Sequence, residues 1–206
     1  TAAYEIYTSR SLDARPGQPT GASKMCLSCH DGTIALGDVA SRGMPILMAG
    51  GAQTMPHGSG NLGTDLRDDH PVSFRYDSSL VSADPDLRDP ATLPHELRLD
   101  ANGELQCTTC HEPHNNIHGD FLAMSAEDSR LCVACHNVGR TTVPGHRSCD
   151  ACHTPHTAPS GPYLLRERTI GDTCLSCHDG SVAGATDVRS QLRHVSTHET
   201  FSRVDP

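Results

Sequence analysis

The sequence predicts a protein that is mostly coil, with short α-helices and little or no β-structure, folded around something other than its own side chains. Three observations predict this. Aromatic residues are 3% of the 206 and Trp is absent, so side chains alone supply a thin core. Gly and Pro number 18 and 14, which breaks the chain into turns and loops. The ten cysteines all fall in Cys-x-x-Cys pairs, and each pair is followed at once by His.

Those motifs are Cys26/Cys29/His30, Cys107/Cys110/His111, Cys132/Cys135/His136, Cys149/Cys152/His153 and Cys174/Cys177/His178. Cys-x-x-Cys-His is the attachment signature of c-type haem. Two thioether bonds hold the porphyrin, and the adjacent His reaches the iron as its proximal ligand. Zinc half-sites, redox dithiols and disulfides are the competing uses of such pairs. Tetrahedral zinc sites would take the motifs in twos, and five is odd. The two-residue loop disfavours structural bridges, which usually close longer loops. With 14 His among 206 residues, chance places His after all five pairs on the order of once in a million. The expectation is five haem c groups in a single unit over residues 1–206, with roughly 41 residues to cover each. Haem is then the core, and the bare polypeptide is not expected to fold.

Two internal repeats order the elements. Residues 107–135 are echoed by 149–177: Cys-x-x-Cys-His-x-Pro-His ends at His114 in one and at His156 in the other. In both, the next first cysteine lies 25 positions beyond the last, and Phe121-Leu122 matches Tyr163-Leu164. Residues 26–72 are echoed by 174–202, from Cys-Leu-Ser-Cys-His-Asp-Gly to a later His70 and His198. Between these landmarks, 36–48 and 50–63 read as loops from their Gly content and Pro45. Residues 84–93, with Pro85 and Pro90, read as a surface excursion rather than a strand. Met124 to Cys135 reads as one short helix, N-capped by Ser125 with Asp128 at the third position. A second short helix is expected over 186–192.

Five irons need five further axial ligands, and nine His remain beside Met25, Met44, Met48, Met55 and Met124. The surplus of imidazole favours bis-His ligation, which closes the iron and lowers its potential relative to His/Met. His114 and His156 sit three residues beyond a proximal His, too near to reach the far side of the same porphyrin. They are expected on a neighbouring haem. His70 and His198 share a repeat position, and His146 follows the Pro144-Gly145 turn just ahead of Cys149. The expected distal ligands are therefore His70, His114, His146, His156 and His198. His57, His95, His118 and His194 are held in reserve, because a lone loop His is more often solvated. The methionines are expected to pack. Closed irons leave no place for substrate, so no catalytic residue is assigned.

The formal charge of −9 argues against a nucleic-acid partner. The basic residues are all Arg except Lys24, which fits either bidentate pairing with haem propionates or a codon bias. No apolar run reaches the length of a membrane span. Thr1 in place of Met is read as a mature N-terminus. Attachment of haem to this motif takes place outside the cytoplasmic membrane, so an exported protein is expected, periplasmic or extracellular. All ten cysteines are used, which leaves none for a lipid anchor.

The Cys-Leu-Ser-Cys-His-Asp-Gly blocks at 26–32 and 174–180, the Asp-His-Pro-Val at 69–72 and the paired Cys-x-x-Cys-His-x-Pro-His units resemble the doubled Cys-x-x-Cys-His multihaem cytochromes of metal-reducing microbes. The likeness covers residues 20–202. Within that group the arrangement is similar to the extracellular filament, or nanowire, cytochromes. The resemblance implies electron transfer. It also implies that the second His of each Cys-x-x-Cys-His-x-x-His unit, here His114 and His156, ligates a different haem, sometimes in an adjoining subunit. With redox partner proteins or extracellular electron acceptors as the expected partners, three functions follow for comparison: a conduit extended into a homo-oligomeric filament, a discrete periplasmic shuttle donating to a reductase, and a multihaem reductase. The last needs an open iron, and all five motifs ending in His count against it.

Overall fold

The computed structural model describes residues 3–38, 40–138, 145–159, 163–182 and 186–189. Among them the chain is mostly coil. The longest helix, α1 (Gly21–His30), carries the first motif in its last turns. Positions i, i+3 and i+4 share one helix face, so Cys26, Cys29 and His30 point together while Leu27, 1% exposed, faces inward. Asp31 ends the helix. Its Oδ1 accepts hydrogen bonds from the Thr33 amide and hydroxyl, and its Oδ2 accepts one from the Tyr4 hydroxyl at 2.7 Å. Burial pushes the Asp31 carboxyl up, but these hydrogen bonds outweigh it and hold the group below its ordinary range.

The β-structure is minimal, as the composition predicts. Strand β1 (Glu5–Ile6) pairs in parallel with β2 (Asp65–Leu66), and β3 (Phe74–Arg75) pairs antiparallel with β4 (Glu104–Leu105). Helix α2 (Ser78–Ala83) is N-capped by Asp77, whose carboxylate accepts from the Ser79 and Leu80 amides. The remaining helices are single turns at or just before motifs: α3 (Cys107–Cys110), α4 (Arg130–Val133) and α5 (Ile170–Leu175). The fourth motif begins in a 3-10 turn, Cys149–Ala151.

One small apolar cluster, Phe74, Tyr76, Leu80 and Leu105, lies behind the third motif and packs against Cys135. A buried polar knot joins α1 to α3. Gln106, 1% exposed, accepts from the Ser23 hydroxyl at 2.5 Å and the Ser73 hydroxyl at 3.2 Å. Its amide donates to Thr20 and Asp100, both at 3.1 Å. Large apolar side chains such as Leu47 and Met25 stay exposed, which agrees with a chain whose own side chains are too few to close a core.

Three expectations need correction. Met124 to Cys135 is not one helix: a 3-10 turn (Glu127–Ser129) runs into α4, and its last two residues, Asp128 and Ser129, are left-handed, at φ 51° and 60°. The break turns the Ser129 hydroxyl away from its own helix to accept from the Cys149 amide at 2.7 Å. Residues 186–189 are not helical, and the rest of that expected helix lies outside the described residues. The aromatic-Leu match is also shifted by one. The isolated bridges pair His111 with Leu122 and His153 with Leu165, so Asp120 corresponds to Tyr163 and Phe121 to Leu164. The second connection is one residue longer.

Candidate functional site

Four of the five proximal imidazoles are held alike. Nδ1 of His30 lies 2.6 Å from the Gly60 carbonyl, and that of His111 lies 2.9 Å from the Asp120 carbonyl. Nδ1 of His153 lies 2.8 Å from the Tyr163 carbonyl, and that of His178 lies 2.7 Å from the Thr186 carbonyl. A carbonyl only accepts, so each Nδ1 carries the proton and Nε2 is left with its lone pair for a metal. Burial, opposed only in part by the Asp120 carbonyl, lowers the pKa of His111, and burial also lowers that of His136. Both stay neutral, as a metal ligand must be.

Three further His rings face proximal rings. His70 lies opposite His136 with centroids 6.2 Å apart and planes crossed at 78°. His156 lies opposite His111 at 6.1 Å and 34°, and His146 opposite His178 at 5.7 Å and 14°. His70 is held through Nδ1 by the Pro71 carbonyl at 3.0 Å. Burial, with His136 nearby, drives its pKa down to about 4. His156 donates from Nδ1 to the Asp69 carboxylate at 3.1 Å. The structure does not bring His114 opposite a proximal ring: its side chain is 89% exposed, and its Nδ1 is held by Glu112 at 2.9 Å. His57, His95 and His118 are exposed as well. His194 and His198 lie outside the described residues.

The attachment sulphurs form a continuous series. The Cys26 and Cys107 thiols share a hydrogen bond, which pulls Cys26 down to about 6 and pushes Cys107 up. Cys110 lies near Cys135 and Cys132, the Cys132 thiol is hydrogen-bonded to Cys149, and Cys152 lies near Cys174 and Cys177. Successive motifs are thus neighbours in space in the order of the chain. Burial pushes Cys110 to about 12 and Cys132 to about 11. A thiolate at Cys110 or Cys132 would have to meet that cost of burial. A neutral thioether carries no such cost. All ten thiols are free of disulfides, and among the described residues no three metal-ligating side chains converge. An apolar cleft lined by Leu27, Leu62, Leu66, Val72, Cys107 and His156 flanks the second motif. The donor set therefore fits haem c: paired neutral sulphurs, a proximal Nε2, and an apolar wall beside them.

Sequence reasoning missed the residues that join one motif to the next. Ser23 and Ser129 each stand three positions before a first cysteine, and each accepts from the first amide of the following motif, Cys107 at 3.0 Å and Cys149 at 2.7 Å. The shared −3 position was the available signal. Asp69, its side chain 5% exposed, enters the sequence reading only as part of the Asp-His-Pro-Val stretch, with no role given to it beside His70.

The doubled CXXCH motif family matches residues 101–141 and 143–183. Those stretches contain the second to fifth motifs, and the first lies outside them. The match supports a multihaem c-type cytochrome with covalently bound haem c and electron transfer as its chemistry. A comparison with curated proteins finds no match. No helix among the described residues is long and apolar enough to cross a membrane.

Proposed function

We propose that the protein carries electrons along five bis-His haem c groups, held in space in the order of their motifs along the chain. The observation that carries this reading is the unbroken series of neighbouring attachment thiols from Cys26 to Cys177. Bound haem supplies one-electron chemistry at its iron. The chain's own part is to fix spacing and to keep the ligands ready. Ser23 and Ser129 hold consecutive motifs together through the Cys107 and Cys149 amides. Backbone carbonyls at Gly60, Asp120, Tyr163 and Thr186 keep four proximal imidazoles in the tautomer that presents Nε2. The first motif is counted as a haem site because α1 presents Cys26, Cys29 and His30 on one face, with the same Nδ1 anchor as His111, His153 and His178.

The protein is read as exported, to the periplasm or the cell exterior, with redox proteins or extracellular acceptors as partners. It is not read as an enzyme, since imidazoles face three of the proximal His and all five motifs end in His. Assembly into a homo-oligomeric filament is part of this proposal. His114 supports it: Glu112 orients the ring and leaves Nε2 toward solvent, where an iron of an adjoining copy can take it. A discrete shuttle is the alternative, and native electron microscopy separates the two as filaments or isolated particles. For the function itself, a reductive titration followed by visible absorption should show every haem reducing reversibly. The native protein should bind no nitrite. An iron that binds and turns over nitrite would make the protein a reductase instead.

A further inference from the structure

The facing imidazoles carry one step more, which rests on the haem reading above. Two imidazoles on one metal, each nitrogen about 2 Å from it, hold their ring centroids roughly 6 Å apart. The three pairs lie at 6.2, 6.1 and 5.7 Å. Rings that merely pack together cover a similar range, so distance alone does not decide. The composition of the pairs does. Among the described residues each pair joins one motif His to one His from outside the motifs, and no residue occurs twice. Incidental contacts among the twelve described His would also join proximal to proximal and spare to spare.

We propose that His70 closes the iron held by His136, His156 the iron held by His111, and His146 the iron held by His178. Each ligand reaches a motif other than the one nearest in sequence, so the irons lace distant segments together. The Asp69-His70 dipeptide serves two neighbouring sites at once. His70 faces His136, while Asp69 orients the His156 that faces His111.

The pairs also differ in a way that can be read without mutation. Imidazole planes set the splitting of the iron d-orbitals that share π-density with them. Near-parallel planes give a rhombic low-spin ferric signal, and crossed planes give a highly anisotropic one. His146 and His178 lie at 14°, and His70 and His136 at 78°. One plane of each pair is anchored, since Thr186 holds His178 and Pro71 holds His70 through Nδ1.

The test is low-temperature electron paramagnetic resonance on the oxidised holoprotein. His70→Gly should remove one iron's worth of highly anisotropic signal and add one high-spin iron, and added imidazole should restore the original. His146→Gly should remove one iron's worth of rhombic signal instead. His95→Gly, at an exposed ring paired with Glu96, should change neither. Exchanged losses, or no loss in either of the first two variants, would overturn the assignment. Should those variants not accumulate, the crystal structure of the wild-type holoprotein decides. Nε2 of His70 and of His136 must lie on one iron, and any other partner for either overturns the pairing. A chain whose intact mass shows no haem defeats the haem reading, whereas five haems with different ligand pairs defeat only this inference.

Discussion

Around His111 and around His153 the chain makes the same turn twice. In the first, the His111 amide donates to the Cys107 carbonyl, Glu112 to Phe121 and Ala123 to Cys110. In the second, His153 donates to Cys149, Thr154 to Leu164 and Arg166 to Cys152. Both turns use left-handed non-glycine residues, Asp120 and Phe121 in one and Tyr163 and Leu164 in the other, and both thereby aim a carbonyl at the proximal Nδ1. Such backbone costs about 1–3 kcal/mol per residue, and its recurrence at both proximal anchors ties it to the site. Yet the two units part at their last His. His156 is 37% exposed, bound to buried Asp69 and facing another motif's imidazole, while His114 is 89% exposed and bound to its own Glu112. The motif dictates the proximal half of a site, and a segment from elsewhere in the chain decides whether the second His meets a partner.

The comparison breaks most visibly if the two His are exchanged in effect. His156→Ala should leave one iron five-coordinate and high-spin, with carbon monoxide binding at one haem. His114→Ala should leave the spin state of the isolated chain unchanged and act only on assembly. Equal effects in spin counting and carbon monoxide titration would erase the distinction.

A smaller effect is expected just before each first cysteine, where Gln106 and Ser148 are counterparts. Gln106 is buried at the centre of hydrogen bonds to Ser23, Ser73, Thr20 and Asp100. Gln106→Ala should cost roughly 1–3 kcal/mol for each polar group it orphans. Ser148→Ala, at a partly exposed position, should stay within about 0.5 kcal/mol. Denaturant unfolding of the holoprotein measures both.

Subtler still is Asp69→Asn. A carboxylate behind an imidazole raises its basicity as a ligand and favours the ferric state. Its loss should raise one midpoint potential by some tens of millivolts, within the 59 mV that a tenfold change in a one-electron equilibrium represents. Glu112→Gln should move none in the isolated chain. Spectroelectrochemical titration resolves the difference.

What was legible follows the same division. The motif His and Cys were readable because i, i+3 and i+4 on one turn place them by local geometry alone. The scarcity of strands followed from composition. The helix expected from Met124 to Cys135 failed because a good local capping pattern was overridden by a distant need: Ser129 turns left-handed to hold the Cys149 amide. The one-residue offset between Asp120 and Tyr163 was hidden because Phe121-Leu122 and Tyr163-Leu164 look alike, while only the bridges to Leu122 and Leu165 set the register. Asp69 and the pairing of His70, His146 and His156 depend on contacts between segments 32 to 87 residues apart, which no local pattern encodes.

The intact mass of the protein purified from its native host tests the central claim most directly. Thioether attachment at all five motifs predicts the polypeptide plus five haems that survive denaturation. An unmodified polypeptide, or one carrying fewer than five haems, would contradict it.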